Sequence, residues 1–482
     1  GGISPADEEA MRDSGLTHLL SISGLHVSAV IAATWYLAMR LFGLWPWLAL
    51  RFRLPLLAAG TSALAGIGYT VLTGAEVPTV RSCLGAVLVL AALAIGREAL
   101  SMRMVAVAAF LVMVFWPEAV VGPSFQMSFA AVISIVALHE AKAVRTFMAP
   151  REEPWWLRYL RHIAMLVLTG LVIELALMPI GLFHFHRAGA YGALANVIAI
   201  PLTTFVSMPM IALALLFDAI GAGAPFWWLA GKSLQFLLWI AHFVAAQPGA
   251  VTHLPAMDRL GFALFVAGGL WLALWHGRIR LLGFVPVALG TISLATITPP
   301  DLLISGDGRH VGITGFPGED LVVLRETRSE YTRSNLTELA GMSGSTRRID
   351  DLPEARCSPE FCALDLERGG RTWHLLMARG GDWVARRDLV AACAASDIVI
   401  ADRWLPRACR PKLMKADRSM LSKTGGVTIN LESGEVRTVA EGQGSHRWWQ
   451  PDSRRPYKPR DNRNARQQVM PSGVPPGSSA NQ

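Results

Sequence analysis

Apolar segments follow one another along this chain from Leu16 to about Pro299, with only short polar breaks between them. A helix of about 20 apolar residues is long enough to cross a lipid bilayer. The composition agrees, because 52% of the residues are hydrophobic and only 17% are charged, proportions that exclude an ordinary soluble enzyme. The sequence therefore predicts a polytopic α-helical membrane protein.

Ten membrane spans are expected, and the positive charges between them predict an orientation. Lysine and arginine accumulate in loops of one parity, for example at Arg51, Arg97, Arg145 and Arg278. Such loops stay on the cytoplasmic side, so the start of the chain and everything after the tenth span are predicted to lie outside the cytoplasm. The spans are 16–39, 54–73, 82–96, 104–121, 124–138, 163–183, 190–217, 226–246, 260–275 and 281–298.

The character of the sequence changes near Pro299. We expect residues 1–15 to be the tail of a preceding element, 16–298 to be the transmembrane domain, 299–446 to form an extracytoplasmic α/β domain, and 447–482 to be a disordered, basic, proline-rich tail. The α/β region contains four cysteines that are candidates for disulfides in an oxidising compartment. Three pairings are open, and reduced, buried thiols remain the alternative. The cysteines are Cys357, Cys362, Cys393 and Cys409.

Four motifs place polar residues and prolines in the apolar part of the chain. The stretch from His18 to Val27 puts two histidines, two serines and a glycine at the start of the first span, and Arg81 closes a Val-Pro-Thr-Val-Arg stretch. Residues 122–129 read Gly-Pro-Ser-Phe-Gln-Met-Ser-Phe, and a proline-aromatic stretch at 179–185 is followed by Asn-Val-Ile-Ala-Ile-Pro at 196–201. In this order the four motifs resemble those of the ComEC competence family.

That resemblance implies an inner-membrane channel that carries single-stranded DNA into a bacterium during natural transformation. It also implies that the chain is a fragment lacking the N-terminal part, and that the transmembrane domain is of the competence type. Candidates for the DNA path are the residues of these motifs that are polar or break a helix. They are His18, Ser23, Gly24, His26, Arg81, Gln126, Ser128, Pro179, Asn196 and Pro201.

The motif residues also have physical roles that the sequence leaves open. Gln126 and Ser128 point in different directions on a helix, so we expect Gln126 to face the path and Ser128 to bond back to the preceding turn. Pro179 and Pro201 are expected to break their helices next to a polar cavity, with a packing kink as the alternative. Asn196 is expected to face that cavity or to hydrogen-bond between helices.

The remaining polar groups in the spans have two interpretations each. His18 and His26 are expected to hydrogen-bond near the outer entrance, and an ordinary interhelical role is the alternative for His26; no metal site is predicted there. Glu174 is expected to pair with Arg81 or Lys232, or to titrate in a proton-coupled step. Both cations are expected to supply positive potential to the path of a polyanion.

In the resembling family, the position after the last span often holds a metallo-β-lactamase-like nuclease domain with a His-x-His-x-Asp-His zinc cluster. Here the histidines beyond the boundary are His310, His374 and His446, and they do not form that cluster. We therefore expect a degenerate module with no enzymatic activity, no metal and no cofactor. The basic run at 401–412 is expected either to contact DNA phosphates or to be a solvated loop.

The chain has no phosphate-binding Gly-x-x-x-x-Gly-Lys motif, so the energy for DNA transport must come from elsewhere. Expected partners are single-stranded DNA, membrane lipid, a cytoplasmic helicase-like ATPase and an extracytoplasmic DNA receptor, and a homo-oligomer with a second copy of the chain stays open. Two other functions stay open: a small-molecule or ion transporter, and a membrane scaffold for the external domain.

Overall fold

The computed structural model describes residues 2–20, 24–75, 77–94, 101–189, 191–316, 320–342, 345–382 and 384–442. Ser23, His446 and the predicted tail at 447–482 lie outside the described residues. The apolar part is helical. Its helices are α1 Pro5–Asp13, α2 Gly24–Gly43, α3 Pro46–Arg51, α4 Leu54–Leu72, α5 Val77–Ala94, α6 Met102–Phe115, α7 Pro123–Glu140, α8 Lys142–Met148, α9 Trp155–Phe185, α10 Gly192–Leu202, α11 Met208–Asp218, α12 Ala224–Ala245, α13 Arg259–Leu274 and α14 Phe284–Ala295.

Shorter elements complete this part of the chain. A π-helical segment, Thr203–Ser207, joins α10 to α11, and 3-10 helices cover Thr17–Leu19, Pro117–Val121 and Arg278–Gly283. Two short strands, β1 Arg187–Gly189 and β2 Val251–His253, pair antiparallel.

Each predicted span coincides with a helix, but the number of crossings stays a prediction. Among the described residues, five helices are long and apolar enough to cross a membrane, or six if α7 and α8, which are bent by 68°, form one span. Three other apolar helices are shorter. The first span was predicted from residue 16, whereas α2 begins at Gly24 and the described residues Thr17–Leu19 ahead of it form a 3-10 turn.

The outer surfaces of these helices are apolar. Large side chains such as Leu50, Leu72, Trp155 and Phe205 are more than two-thirds exposed. A soluble protein seldom exposes so many large apolar groups together. The helical part is therefore suited to contact with lipid, and the protein is a membrane protein.

The α/β domain begins at Leu302 and contains two sheets. Its strands are β3 Leu302–Ile304, β4 Val311–Ile313, β5 Leu321–Val323, β6 Thr346–Arg348, β7 Ala355–Cys357, β8 Phe361–Arg368, β9 Arg371–Ala378, β10 Ile398–Ile400, β11 Met414–Ala416, β12 Val427–Ile429 and β13 Val436–Thr438. The sheets have the orders β13-β12-β3-β4-β5-β6 and β11-β10-β9-β8-β7. The helices are α15 Glu330–Ala340, α16 Arg386–Ala395, α17 Arg418–Thr424 and α18 Val439–Gly442.

Alternation of side chains along the strands builds the layers of this domain. Leu302 and Ile304 pack into the core between the sheets, while Leu303 between them packs against α15 on the other face. In the second sheet Ile398 enters the same central core, and Val399 packs against α16. Because side chains alternate between the faces of a strand, apolar residues on both faces require this arrangement of helix, sheet, sheet and helix.

Candidate functional site

A cavity of about 710 Å³ lies between α2, α5, α6 and α7. Its walls are mostly aliphatic and aromatic, and its polar groups come mainly from three serines and one arginine. These are Ser28 of α2, Arg81 and Ser82 of α5, and Ser128 of α7. The cavity is therefore an apolar chamber with one cationic group in its wall.

Close packing on one side defines this cavity. A Cβ on Gly24 would stand 3.0 Å from Ser82 Oγ, so glycine at this position lets the start of α2 approach α5 without displacing that side chain. Val27 and Cys83 are buried where α2, α4 and α5 meet. The cavity opens between this cluster and helices α6 and α7.

Arg81 is the charged residue of the cavity wall. Its side chain is half-buried, and its Nε is buried without a hydrogen-bond partner among the described residues. None of the described carboxylates forms an ion pair with it. A cation held in apolar surroundings without a counter-charge is unfavourable. The arrangement is therefore suited to an anion that enters the cavity.

The structure gives Gln126 and Ser128 the opposite roles from those predicted. Ser128 lines the cavity. Gln126 instead accepts at Oε1 from His184 Nε2 at 2.8 Å and donates from Nε2 to the Val120 carbonyl at 3.1 Å. Gln126 Oε1 thus joins α7 to the end of α9, and Gln126 Nε2 ties α7 to the 3-10 helix Pro117–Val121 that precedes it. No sequence pattern indicated this partner, which lies 58 residues away.

Glu174 lies at the N-terminus of α10 rather than beside Arg81 or Lys232. Its carboxylate interacts with the backbone N–H groups of Gly192 and Ala193, the first residues of that helix. A Cβ on Gly192 would stand 2.6 and 2.8 Å from the two carboxylate oxygens. The N–H groups that begin a helix have no partner within it, so a carboxylate from α9 satisfies them here.

Lys232 lies on the surface of α12 and does not line the cavity. Its side chain is exposed, donates to Gln235 Oε1 at 3.1 Å and lies 6.0 Å from the centre of the Trp228 ring. A contribution of Lys232 to the potential along the path therefore stays a prediction. Its long side chain sits on the outer surface of α12, where an amphipathic chain can extend toward the membrane interface.

The two prolines differ in their effect. Pro179 does not break its helix, since α9 runs without interruption from Trp155 to Phe185. A proline removes one N–H donor, and membrane helices tolerate that loss. Pro201 is followed directly by the π-helical segment, although α10 and α11 still form one candidate span of 27 residues. The broken helix expected at Pro201 is therefore a local change of winding.

Polar groups collect around this π-helical segment. Ser233 Oγ of α12 donates to Ser207 Oγ at 2.9 Å, and the hydroxyls of Thr203 and Thr204 have no hydrogen-bond partner in the described part of the chain. Asn196 Oδ1, on α10, is also buried without such a partner. Single π-turns are frequent at functional sites.

The histidines of the first motif lie beside the entrance to α2. His18 is on the 3-10 turn Thr17–Leu19, and His26 is on the first turns of α2, close enough to interact electrostatically with it. Gly24 of the same motif lines the cavity. The structure thus brings part of the first motif together with Arg81 and Ser128, while Asn196 and Pro201 belong to a different group of helices.

A second polar cluster, which the sequence did not predict, joins the helical part to the α/β domain. Arg187 of β1 forms ion pairs with Glu338 of α15 and with Asp13 of α1, the latter at 3.4 Å. Burial raises the pKa of the Asp13 carboxyl, although the Arg187 charge opposes it. Burial, together with Arg187, lowers the pKa of His253. The sequence signal was an isolated cation among loops that hold few.

The cysteines of the α/β domain are paired as Cys357–Cys362 and Cys393–Cys409. The described residues contain one group with ligand spacing for a metal, Asp350 with Cys357 and Cys362. Both sulfurs of that group belong to the disulfide, so they are not available as thiolate ligands.

Comparisons with known proteins agree with the four motifs. The family model described as "Competence protein" matches residues 1–279, more than half of the chain. The competence protein ComA of Neisseria gonorrhoeae is 34% identical over 299 residues, which are 59% of this chain and 39% of that protein. The ComE operon protein 3 of Bacillus subtilis is 27% identical over 204 residues, 42% of this chain and 23% of that protein.

An uncharacterized protein of Escherichia coli, YcaI, is 32% identical over 246 residues, 48% of this chain and 29% of that protein. The chain thus spans less than two-fifths of the length of each of these relatives. No solved structure matches it significantly. These findings confirm the resemblance to the ComEC-like proteins, and the chain belongs to the competence protein family.

Proposed function

We propose that the helical domain carries single-stranded DNA across the inner membrane during natural transformation. The observation that carries this proposal is Arg81, a half-buried guanidinium without a carboxylate partner among the described residues, in the wall of a cavity bounded by four helices. A phosphate backbone supplies the counter-charge that this group lacks. Ser28 and Ser128 of the same wall offer hydroxyls that can replace part of the hydration of the strand.

We further propose that the α/β domain lies outside the cytoplasm. The basic loops between the helices support this orientation. So do the two disulfides of the domain, since disulfides persist in oxidising compartments.

The α/β domain, in this proposal, is a metallo-β-lactamase-like module without nuclease activity. Its place after the last span supports the assignment, and the sequence there lacks the His-x-His-x-Asp-His cluster. The described histidine His374 bonds to Asp365 at 2.6 Å, on neighbouring strands of one sheet. Transport then requires a cytoplasmic helicase-like ATPase or the membrane potential for energy, and an extracytoplasmic receptor to deliver DNA.

A small-molecule transporter is the second candidate, and the cavity itself favours it. Its volume of about 710 Å³ is that of a typical small-molecule site, and its walls are mostly apolar. An anionic amphiphile would satisfy Arg81 and the apolar walls together.

Labelled DNA uptake distinguishes the two functions. The gene is deleted in a transformable host and restored with wild-type, Arg81→Ala, Arg81→Lys or Arg103→Ala alleles, and DNA that reaches the cytoplasm is measured separately from DNA bound outside. Arg103 is the matched control, because it is exposed and lies on α6 outside the lining of the cavity. We expect the deletion and Arg81→Ala to abolish uptake while surface binding persists, and Arg81→Lys to retain part of it. Normal uptake in the deletion strain would refute the DNA function and favour the transporter.

A further inference from the structure

The loop between β10 and β11, in the α/β domain, carries a run of positive charge. Residues 403–412 contain four cationic side chains and no carboxylate. Arg407, Arg410 and Lys412 are exposed. None of these three forms an ion pair within the described part of the chain. Lys412 is close enough to Asp397 for their charges to interact, whereas Arg407 and Arg410 remain available to a polyanion.

An exposed tryptophan stands at the beginning of this loop. The side chain of Trp404 is 60% exposed, and the guanidinium carbon of Arg418 lies 4.8 Å from the centre of its ring. A large aromatic ring on a protein surface is a stacking platform for a nucleic acid base. A guanidinium over the ring adds a contact for the adjoining phosphate.

The backbone under this ring is held in place. Leu405 N donates to Asp417 Oδ2 at 3.3 Å, and Arg418 N donates to the Arg403 carbonyl at 3.2 Å. Leu405 and Asp417 are both buried, so the ring is mounted on a fixed part of the domain. A rigid platform loses less conformational entropy on binding than a mobile one.

A disulfide and a hydrogen bond hold the rest of the loop along the outer face of the sheet. Cys409 is bonded to Cys393 of α16, and Lys412 N donates to the Ser396 carbonyl at 3.0 Å, beside the start of β10. The loop thus runs from the carboxyl end of β10, at Ile400, back to its beginning. Its basic groups therefore form a strip that follows the length of the strand.

The position of Trp404 separates it from the membrane. The chain leaves α14 and enters β3 at Leu302, and the turn at the other end of β3 contains Gly308. A Cβ on Gly308 would stand 2.6 Å from the Ala401 carbonyl, so the end of β10 lies at the end of β3 remote from α14. A tryptophan in this place is poorly located for the membrane interface, which favours a soluble polyanion.

We propose that Trp404, Arg418 and the basic strip Arg407–Lys412 form a binding site for single-stranded DNA on the α/β domain, leading from its remote edge toward the helical part. The proposal rests on the proposed function and names the surface that receives the strand before the membrane. A base stacks on Trp404, and phosphates contact Arg418 and the strip.

The test is binding of a fluorescently labelled single-stranded oligonucleotide to the purified full chain in detergent, measured by anisotropy at several salt concentrations. Stacking on one aromatic side chain is worth about 1–3 kcal/mol, so we expect Trp404→Ala to weaken binding about 5- to 150-fold and Trp404→Phe to weaken it less. Removing two phosphate contacts with the double variant Arg407→Ala, Arg410→Ala should reduce the salt slope by about 1.4. Matched controls are Tyr331→Ala, an aromatic that is 80% exposed on α15, and Arg437→Ala on β13.

Equal affinity of Trp404→Ala and Tyr331→Ala would overturn the proposal, as would an unchanged salt slope in the double variant. Anionic phospholipid vesicles serve as the second probe. If Trp404→Ala or the double variant loses binding to the vesicles but still binds the oligonucleotide like the wild type, the surface is a membrane contact and the proposal fails. If the deletion strain fails to take up DNA but Trp404→Ala binds like the wild type, only this inference fails. Normal uptake in the deletion strain would instead reject the function on which it rests.

Discussion

Replacing Gly192 by alanine should destabilise the helical domain, although alanine is normally the better helix former. In an unhindered helix the change from glycine to alanine stabilises by about 0.5–1 kcal/mol. Here the added Cβ would stand 2.6 and 2.8 Å from the Glu174 carboxylate oxygens, so the carboxylate must move away. It then loses its contacts with the N–H groups of Gly192 and Ala193.

The magnitude follows from those contacts. Loss of a side-chain cap costs about 0.5–2 kcal/mol, and a half-buried carboxylate left without donors adds about 1–3 kcal/mol. After subtraction of the gain in helix propensity, we expect a net loss of about 0.5–4.5 kcal/mol. The helical domain, 16–298, is larger than the 150–250 residues for which 1 kcal/mol lowers Tm by roughly 2–4 °C, so we expect a Tm lower by about 2 °C or less per kcal/mol.

The assay is thermal unfolding of the purified protein in detergent, followed by tryptophan fluorescence. Gly170→Ala is the matched control, because it lies on α9 facing the same helix and its Cβ would meet Ala193 at an ordinary distance of 3.6–3.9 Å. In the background of Glu174→Ala, which has no carboxylate to displace, Gly192→Ala should be neutral or stabilising. A Tm of Gly192→Ala equal to or above that of the wild type would refute the reasoning, as would additive effects of the two substitutions.

Three other predictions concern contacts elsewhere in the chain. Gln126→Leu removes the bond to His184 and should lower the stability of the helical domain by about 1–3 kcal/mol; thermal unfolding without a measurable shift would contradict this. Burial lowers the pKa of His253 in the folded protein, so its contribution to stability is complete above the ordinary value of about 6.5 and is lost as the pH falls below it; the pH dependence of Tm should become flatter in this range in His253→Gln. Replacing Cys393 and Cys409 together by serine opens a loop of 16 residues and should lower the unfolding free energy of the α/β domain by about 3 kcal/mol, as denaturant titration would measure; an unchanged midpoint would show that the loop is fixed by its other contacts.

The positions of the membrane helices were the part of the fold that could be predicted from the sequence. They follow from the length of each apolar segment, which depends on local composition alone. The rotation of α7 about its own axis could not be predicted in this way. Gln126 and Ser128 both belong to a polar motif, and only the packing of α7 against α9 decides which of them faces the cavity. A local pattern identifies which residues are polar, not which neighbour they meet.

Contacts between residues far apart along the chain could not be predicted from the sequence for the same reason. The contact of Glu174 with α10 requires that the chain fold back between the two helices, and the ion pair of Arg187 with Glu338 joins residues 151 positions apart. A charged residue in an apolar segment indicates that the folded protein supplies a partner for it. Its identity depends on tertiary structure, which is why Arg81 and Lys232 were wrong partners for Glu174.

The length of α9 determines how deep its polar residues lie. At 1.5 Å per residue, its 31 residues extend about 46 Å, whereas the hydrocarbon core is about 30 Å thick and is crossed in about 20 residues. Trp155, Trp156, Arg158 and His162 are all exposed on its first turns, and a charged side chain is unfavourable in hydrocarbon, so the crossing begins after them, near residue 163. The first eight residues then extend about 12 Å through one interface. Glu174 consequently lies near the middle of the predicted crossing, 163–183, where the backbone N–H groups that begin α10 replace the water that its carboxylate would otherwise need.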